Sequence, residues 1–333
     1  MEKVDILLAT YNGDKYLKEQ IDSILSQTYT DFRLLISDDV STDKTRKIIK
    51  EYVKKDKRIK AFLQKQNLGV TGNFEFLLKK VKSEYFMFSD QDDIWNLNKV
   101  EKSLNKIEKT KSNLVFSDLR VVDKDLNVIY ESYWELKGFE KKIKKHCNFK
   151  GLYLNNFITG STIISRKELI EEILPLPKTT KYILHDYWVA LIASQHGKID
   201  YIDKSLIKYR QHKDNRIGAG KVSNKMKSLK EVRNLFITVK KEHFLTFVEN
   251  QSKFVDEKTR KLNIKSLEYY KKLEKVKVIN FKNWRLFFKL YKYENFGYKI
   301  QNFLILNIPI LAKILFVFRK KSKKNKQPKR SKE

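Results

Sequence analysis

The chain has 333 residues, of which 41% are hydrophobic and 13% aromatic, enough to bury the core of one large domain or of one domain with a substantial extension. A single cysteine, Cys147, excludes an intramolecular disulfide and a cysteine-built zinc site, which fits a reducing cytosol. Lys and Arg number 71 against 40 Asp and Glu, and the resulting charge of +31 draws the protein toward nucleic acid, an acidic membrane surface or phosphorylated ligands. Abundant lysine with sparse Gly and Pro is also what a base-composition bias of the genome would produce.

No charged-then-apolar signal segment opens the chain, which argues against export. Residues 4–9 read as a buried strand ending at the turn cluster Thr10-Tyr11-Asn12-Gly13. Tyr16, Leu17, Ile21, Ile24 and Leu25 then recur at helical spacing. A second strand over 32–37 ends at Asp38-Asp39. Ser41 or Thr42 is placed to cap the helix after it, whose inner face carries Ile48, Ile49, Tyr52 and Val53. Residues 59–63 make a weaker strand. A loop with Asn67, Gly69 and Gly72 leads into a helix carrying Phe74, Phe76, Leu77, Leu78 and Val81. A fourth strand, Tyr85-Phe86-Met87-Phe88, opens onto Ser89-Asp90-Gln91-Asp92-Asp93-Ile94-Trp95.

Four strand-then-helix units in about a hundred residues predict a mainly parallel sheet with helices on both faces. Ligands of such sheets collect beyond the carboxyl ends of the strands, where Thr10, Asp39 and Asp90 all fall. Three carboxylates in four positions repel one another unless a proton or cation lies between them. Mg²⁺ or Mn²⁺ resolves that conflict and keeps coordination positions for substrate phosphates, whereas the plainer alternative is an acidic turn that caps the next helix. Convergence of three polar clusters on one crevice favours the cation. Neither G-x-G-x-x-G nor the Walker lysine pattern stands at the first turn, which argues against a nicotinamide enzyme and a P-loop kinase.

Beyond Trp95, residues 114–118 read as a strand and 119–130 as a hairpin through Asp123-Lys124-Asp125. Residues 139–149 read as a basic connection and 159–165 as a strand opened by Gly160. A helix follows from Lys167 to before Pro175, another runs from Leu184 to Gly197, and a strand over 199–202 precedes Tyr209-Arg210-Gln211-His212.

As an ordered set, Thr10-Tyr11-Asn12, Asp38-Asp39, Asp90-Gln91-Asp92-Asp93 and His185-Asp186 resemble family-2 glycosyltransferases of the GT-A fold over residues 1–215. His185 stands where an acidic residue is usual. The versions Ser89 to Trp95, His185-Asp186-Tyr187-Trp188 and Tyr209 to His212 are similar to bacterial rhamnosyltransferases of cell-surface polysaccharide. The resemblance implies a Rossmann-like α/β catalytic domain, an inverting transfer from a dTDP- or UDP-sugar, and a glycan or lipid-linked acceptor. It places Thr10, Tyr11 and Asn12 in the nucleotide pocket, Asp39 on the pyrimidine N–H, and Asp92, with Asp90 in support, on the metal and diphosphate. It makes Asp186 the general base, and it puts Arg210 and His212 where a diphosphate contact or a further metal ligand falls. Each has a structural alternative: Asp186 as a helix cap, Asp38 as a residue that positions the next helix, Arg210 and His212 in a solvent-facing loop, and Trp95 and Trp188 as buried aromatics.

Past Gly220 the chain reads as helical, with apolar sets at Met226, Leu229, Val232, Phe236 and Val239, at Leu267, Tyr270 and Leu273, and at Trp284, Phe287, Leu290 and Tyr291. The expected organisation is a catalytic domain over 1–220, a helical extension over 221–318 and a basic tail over 319–333. The apolar run over 303–318, interrupted by Pro309 and Lys313, is short of the roughly 20 residues of a spanning helix. It suits a peripheral contact at the inner face of the membrane, in which apolar side chains enter the headgroup boundary while lysines meet anionic lipid. Packing on the catalytic domain or on a second copy is the alternative. A nucleic-acid-binding role suits the charge, but Asp39, Asp90, Asp92 and Asp93 at the centre of the crevice oppose it. A membrane scaffold without catalysis is the remaining alternative.

Overall fold

A computed structural model describes residues 3–178, 182–213, 229–275 and 284–292, together with 299, 303 and 306. The chain divides into two compact units, Met1–Gly220 with Ser252–Val255, and Lys221–Gln251 with Asp256–Glu333. The apolar run over 303–318, apart from Phe303 and Leu306, and the basic tail lie outside the described residues, as does Met226.

The first unit opens with β1 (Val4–Thr10), α1 (Leu17–Leu25), β2 (Phe32–Asp38), α2 (Thr45–Lys55), β3 (Ile59–Leu63), α3 (Gly69–Leu78) and β4 (Tyr85–Ser89). All but one residue of β1, and all of β4, are buried, which is why these strands read as continuous apolar runs. Next come β5 (Ile94–Trp95), α4 (Lys99–Thr110), β6 (Leu114–Val122), β7 (Val128–Tyr130), α5 (Tyr133–Lys137), α6 (Glu140–His146) and α7 (Phe149–Leu152). The unit ends with β8 (Ile164–Arg166), α8 (Ile170–Ile173), α9 (His185–His196) and β9 (Ile199–Arg210). The strands form one sheet in the order β3-β2-β1-β4-β8-β6-β9-β5, with β7 beside β6. β1 runs parallel to β2 and β4, β2 to β3, and β6 to β9. The short strands β5, β7 and β8 run antiparallel to their neighbours. Leu17, Ile21 and Ile24 of α1 and Val100, Leu104 and Ile107 of α4 bury against this sheet with Ile6, Leu34 and Val115. Full burial of such side chains stabilises by roughly 1.5–3 kcal/mol each.

Several expected boundaries shift, each for a tertiary reason. Neither Ser41 nor Thr42 caps α2, whose N-cap is Lys44 without a side-chain bond. Asn12 takes both instead: its N–H donates to Ser41 Oγ (2.9 Å), and its Oδ1 accepts from the Thr42 N–H (2.9 Å). Gly69 and Gly72 belong to α3 and not to a loop before it; Gly69, at φ +68°, makes the turn into the helix. The strand expected over 159–165 shrinks to β8, because Gly160–Thr162 forms a 3₁₀ turn packed on α9. The basic stretch 139–149 is largely helical, with Ile143 of α6 buried. β9 continues far beyond Ile202, to Arg210.

The second unit is helical among its described residues: α10 (Leu229–Glu249), α11 (Glu257–Lys275) and α12 (Trp284–Leu290). Phe244, Tyr270, Phe287 and Tyr291 are fully buried in it. No helix of the described residues is long and apolar enough to cross a membrane.

Candidate active site

Strand register sets the site. Thr10 pairs with Asp38, and Leu8 with Ser89, so β1, β2 and β4 end along one edge and release Tyr11, Asp39 and Asp90 together. On the other side, β5 pairs with the end of β9 through Ile94 and Lys208 and through Trp95 and Ile207, which returns the chain after Arg210 to the acidic corner. A cavity of about 670 Å³ opens there, lined from the first half of the chain by Thr10, Tyr11, Asp39, Asn73, Asp90 and Asp92. Asn156, Thr159, Gly160, His185, Asp186 and Tyr209 line it from the second half.

Thr10, Tyr11, Asp39, Asp90, Asp92 and Asp186 thus share one cavity, whereas Asn12, Arg210 and His212 do not line it. Asp39 is fixed by two backbone amides at the start of α3, Leu68 N–H to Oδ1 (2.6 Å) and Gly69 N–H to Oδ2 (2.9 Å). A carboxylate offers about four acceptor positions, so two remain for a ligand N–H. Asp38 is fully buried and structural, accepting from Ser41 N–H (3.1 Å) and Arg46 Nε (2.6 Å). Gln91 grips Tyr11 from both sides, its Oε1 accepting from the Tyr11 N–H (2.8 Å) and its Nε2 donating to the Tyr11 carbonyl (3.0 Å).

Arg210 corrects the expectation of a diphosphate-facing side chain. It is 2% exposed and turned into the protein. Its Nε donates to the Asp92 carbonyl (2.9 Å), one terminal nitrogen donates to the Lys124 carbonyl (2.9 Å), and the other pairs with Glu19. The guanidinium also lies over the Tyr16 ring, 4.4 Å from its centroid, and the Arg210 N–H donates to Asp93 Oδ1 (3.2 Å). Arg210 braces the acidic corner from behind. His212 packs at a tilt against the same Tyr16 ring (4.8 Å between centroids, 35° between planes), and its Nε2 sits 2.9 Å from Asp92 Oδ2.

The carboxylates are electrostatically strained. Asp90 opens partly to the cavity but is otherwise enclosed, and burial, then Asp92 and Asp186, push its pKa up to about 7. Asp93 is fully buried and held well above the carboxylate range by burial, then by Asp92 and Asp90. No cage of three or more His, Cys, Asp or Glu side chains stands ready for a cation among the described residues. Asp92 and His212 nonetheless bring an oxygen and a nitrogen together beside Asp90, whose charge lacks compensation. A hard divalent ion that takes few protein ligands and fills its remaining positions with phosphate oxygens fits this donor set.

Asp186 lies one residue inside α9, whose N-cap is Leu184, so it is not the cap. Its Oδ1 accepts from the Tyr187 N–H (2.7 Å) and its Oδ2 from the Gly160 N–H (3.1 Å). A Cβ on Gly160 would sit 3.1 Å from His185 Nε2 and 3.2 Å from Asp186 Cβ, so the 3₁₀ turn needs glycine to approach this closely. His185 stacks on Phe74 with centroids 4.0 Å apart, and this packing holds the start of α9. Burial pushes Asp186 up to about 6, against the amides of Tyr187 and Gly160, which favour the charged form. Were Asp186 to accept a proton during turnover, it would do so only when ionised, and turnover would fall as pH drops through about 6. A pH–rate profile checks this; an acid limb near the ordinary Asp value of 3.8 would show that the cavity does not desolvate Asp186.

Sequence reasoning gave Gln91, Asn73, Asn156, Thr159 and Tyr209 no role in the cavity. Gln91 lies within the acidic motif and Tyr209 within Tyr209-Arg210-Gln211-His212; Asn73, Asn156 and Thr159 carry no local signal and reach the cavity only through tertiary packing.

A mainly parallel α/β sheet with carboxylates gathered at its strand ends is the arrangement of the GT-A fold, and solved structures of glycosyltransferases share it. The Staphylococcus aureus TarS 1–349 structure in complex with UDP-GlcNAc aligns with a TM-score of 0.54 at 16% identity, covering 91% of this chain and 79% of that one. The Pyrobaculum calidifontis mannosyltransferase PcManGT, in complex with GDP-Man and Mn²⁺, aligns at 0.52 and 13% identity, covering 96% and 88%. In sequence, the dTDP-rhamnosyl transferase RfbG of Shigella flexneri is 32% identical over 239 residues, 68% of this chain and 79% of its own. The profile described as Glycosyl transferase family 2 matches residues 5–174. The chain belongs to glycosyl transferase family 2 and is a glycosyltransferase.

Proposed function

We propose that the protein is an inverting, metal-dependent transferase that moves L-rhamnose from dTDP-rhamnose to a lipid-linked or growing cell-surface polysaccharide at the inner face of the membrane. The observation that carries this reading is the meeting of Asp39, of Asp90 with Asp92, and of Asp186, from three separate segments, in one cavity. The similarity to the S. flexneri dTDP-rhamnosyl transferase supports the sugar. In this reading residues 1–220 are the catalytic domain, 221–318 a helical extension and 319–333 a basic tail.

Asp39, aimed by the Leu68 and Gly69 amides, accepts the pyrimidine N3–H, while Thr10 and Tyr11 line the nucleotide. Asp92, with Asp90 and His212, would hold Mg²⁺ or Mn²⁺. Bound there, such an ion would supply Lewis-acid compensation for the charge on the departing diphosphate. Asp186 takes the proton of the acceptor hydroxyl as its oxygen bonds to the anomeric carbon. The bond from that carbon to the diphosphate oxygen breaks on the opposite face, and the electron pair leaves with the nucleoside diphosphate. Single displacement of this kind inverts the anomeric centre and needs no covalent intermediate.

A UDP-hexose is the second reading, favoured by the UDP-GlcNAc held by the TarS structure. Asp39 does not separate the two, because uracil and thymine present the same N–H. A thermal-shift screen of nucleotide sugars, with and without Mg²⁺ or Mn²⁺, does. A donor at 100 times its Kd adds about 2.7 kcal/mol to the folded state. Stabilisation by dTDP-rhamnose that disappears with a chelator is the expected result. Stabilisation by a UDP-hexose alone would replace the donor, and none by any nucleotide sugar would remove the reading.

A further inference from the structure

A second cavity, of about 680 Å³, lies wholly within the helical unit, between α11 and α12. Lys258, Lys261, Lys265 and Lys272 line one wall, and Arg285 and Lys289 the other. On α11 these positions follow steps of three, four and seven residues and therefore share one face, and Arg285 and Lys289 are spaced i, i+4 on α12. Glu257 and Glu268 are the acidic residues of the lining, which leaves four positive charges in excess. Glu257 is engaged with Lys261 (2.8 Å). Leu262 and Leu286 are half-buried between the rows and give the groove an apolar strip.

Two cation rows facing each other across a groove repel, and an anion between them converts that repulsion into binding. The chemistry of the rows selects the anion. A single fixed phosphate is best met by the planar, bidentate fork of arginine, whereas five of these six cations are lysines, point charges on flexible stems. From Lys258 to Lys272 the row runs about 21 Å at 1.5 Å per residue, far more than one phosphate occupies and enough for several headgroups side by side. An apolar strip between lysine rows matches the boundary between headgroups and acyl chains.

We propose that the groove between α11 and α12 is a docking surface for the anionic phospholipid headgroups of a bilayer. This deepens the peripheral-membrane part of the function proposed above and does not depend on the identity of the donor. The test is co-sedimentation of the full chain with phosphatidylcholine vesicles with and without phosphatidylglycerol. Each basic residue near an anionic leaflet contributes about a fivefold factor in partitioning, so Lys265→Gln/Lys272→Gln/Lys289→Gln should bind phosphatidylglycerol vesicles about a hundredfold more weakly. Lys47→Gln/Lys50→Gln/Lys54→Gln on the exposed face of α2 removes the same charge and should bind like the wild type. Equal losses in the two triple variants would reduce the effect to net charge and overturn the proposal. Unchanged binding of the groove variant would overturn it as well. So would displacement of the vesicles by inorganic pyrophosphate at constant ionic strength, which would mark a discrete phosphate site. Thermal stabilisation by a nucleotide sugar should persist in the groove variant, so a failed donor assignment and a failed docking surface give different results.

Discussion

Asp186→Asn should lower the rate of sugar transfer by about 10²- to 10⁴-fold while leaving donor affinity within a small factor of wild type. The substitution separates the chemical role of the residue from its structural one. An amide oxygen still accepts from the Tyr187 or Gly160 amide, and the side chain keeps its volume between Gly160 and the start of α9. A helix-capping role would survive the change in any case, since Asn caps as well as Asp. Basicity is what the amide lacks. Raising the carboxyl to about 6 by burial costs free energy in the folded state, and a residue kept only for packing has no use for that cost. Single-turnover transfer measured beside donor titration is the check. Transfer near the wild-type rate would place the proton acceptor elsewhere, and a parallel loss of donor binding would make Asp186 a structural support of the cavity.

The parts of this architecture that the sequence displays are those governed by local periodicity. β1, β2 and β4 are buried on both faces and read as apolar runs, and α1 shows its inner stripe at Leu17, Ile21 and Ile24. The helix α4 has the same kind of signature in Val100, Leu104 and Ile107, although no expectation covered it. What the sequence hides is partnership across distance. Ser41 has the chemistry of a cap, but the Asn12 amide 29 residues away claims its oxygen. Gly160 is consistent with a strand until α9 packs against it. The carboxylates at the strand ends were legible because strand ends are local features, and parallel pairing gathers them at one edge. Arg210 lay near a family motif and carried the right charge for a phosphate. Only the pairing of β5 with β9 reveals that it is enclosed by Asp92, Lys124, Glu19 and Tyr16.

That enclosure sets the expectation for Arg210→Ala, a loss of about 3–5 kcal/mol in stability. The half-buried Asp92 carbonyl loses its donor, at up to about 1–3 kcal/mol, and the Lys124 carbonyl, on an exposed residue, loses its own at less cost because water reaches it. Loss of the Glu19 pair adds little, because Glu19 is 54% exposed and water replaces its partner. The side chain also leaves a void beneath the acidic corner. Arg210→Lys should recover little of this, since one ammonium cannot reach both carbonyls and Glu19 as the planar fork does. Because the Asp92 carbonyl is held by Nε, the Asp92 carboxylate should drift as well, and on the proposed function donor binding in the presence of a divalent ion should weaken together with the melting temperature. Thermal melting of both variants, with and without donor and divalent ion, distinguishes a brace from a ligand. Wild-type melting combined with lost donor affinity would return the guanidinium to the diphosphate, whereas falling stability in the absence of any donor is the outcome that its buried partners require.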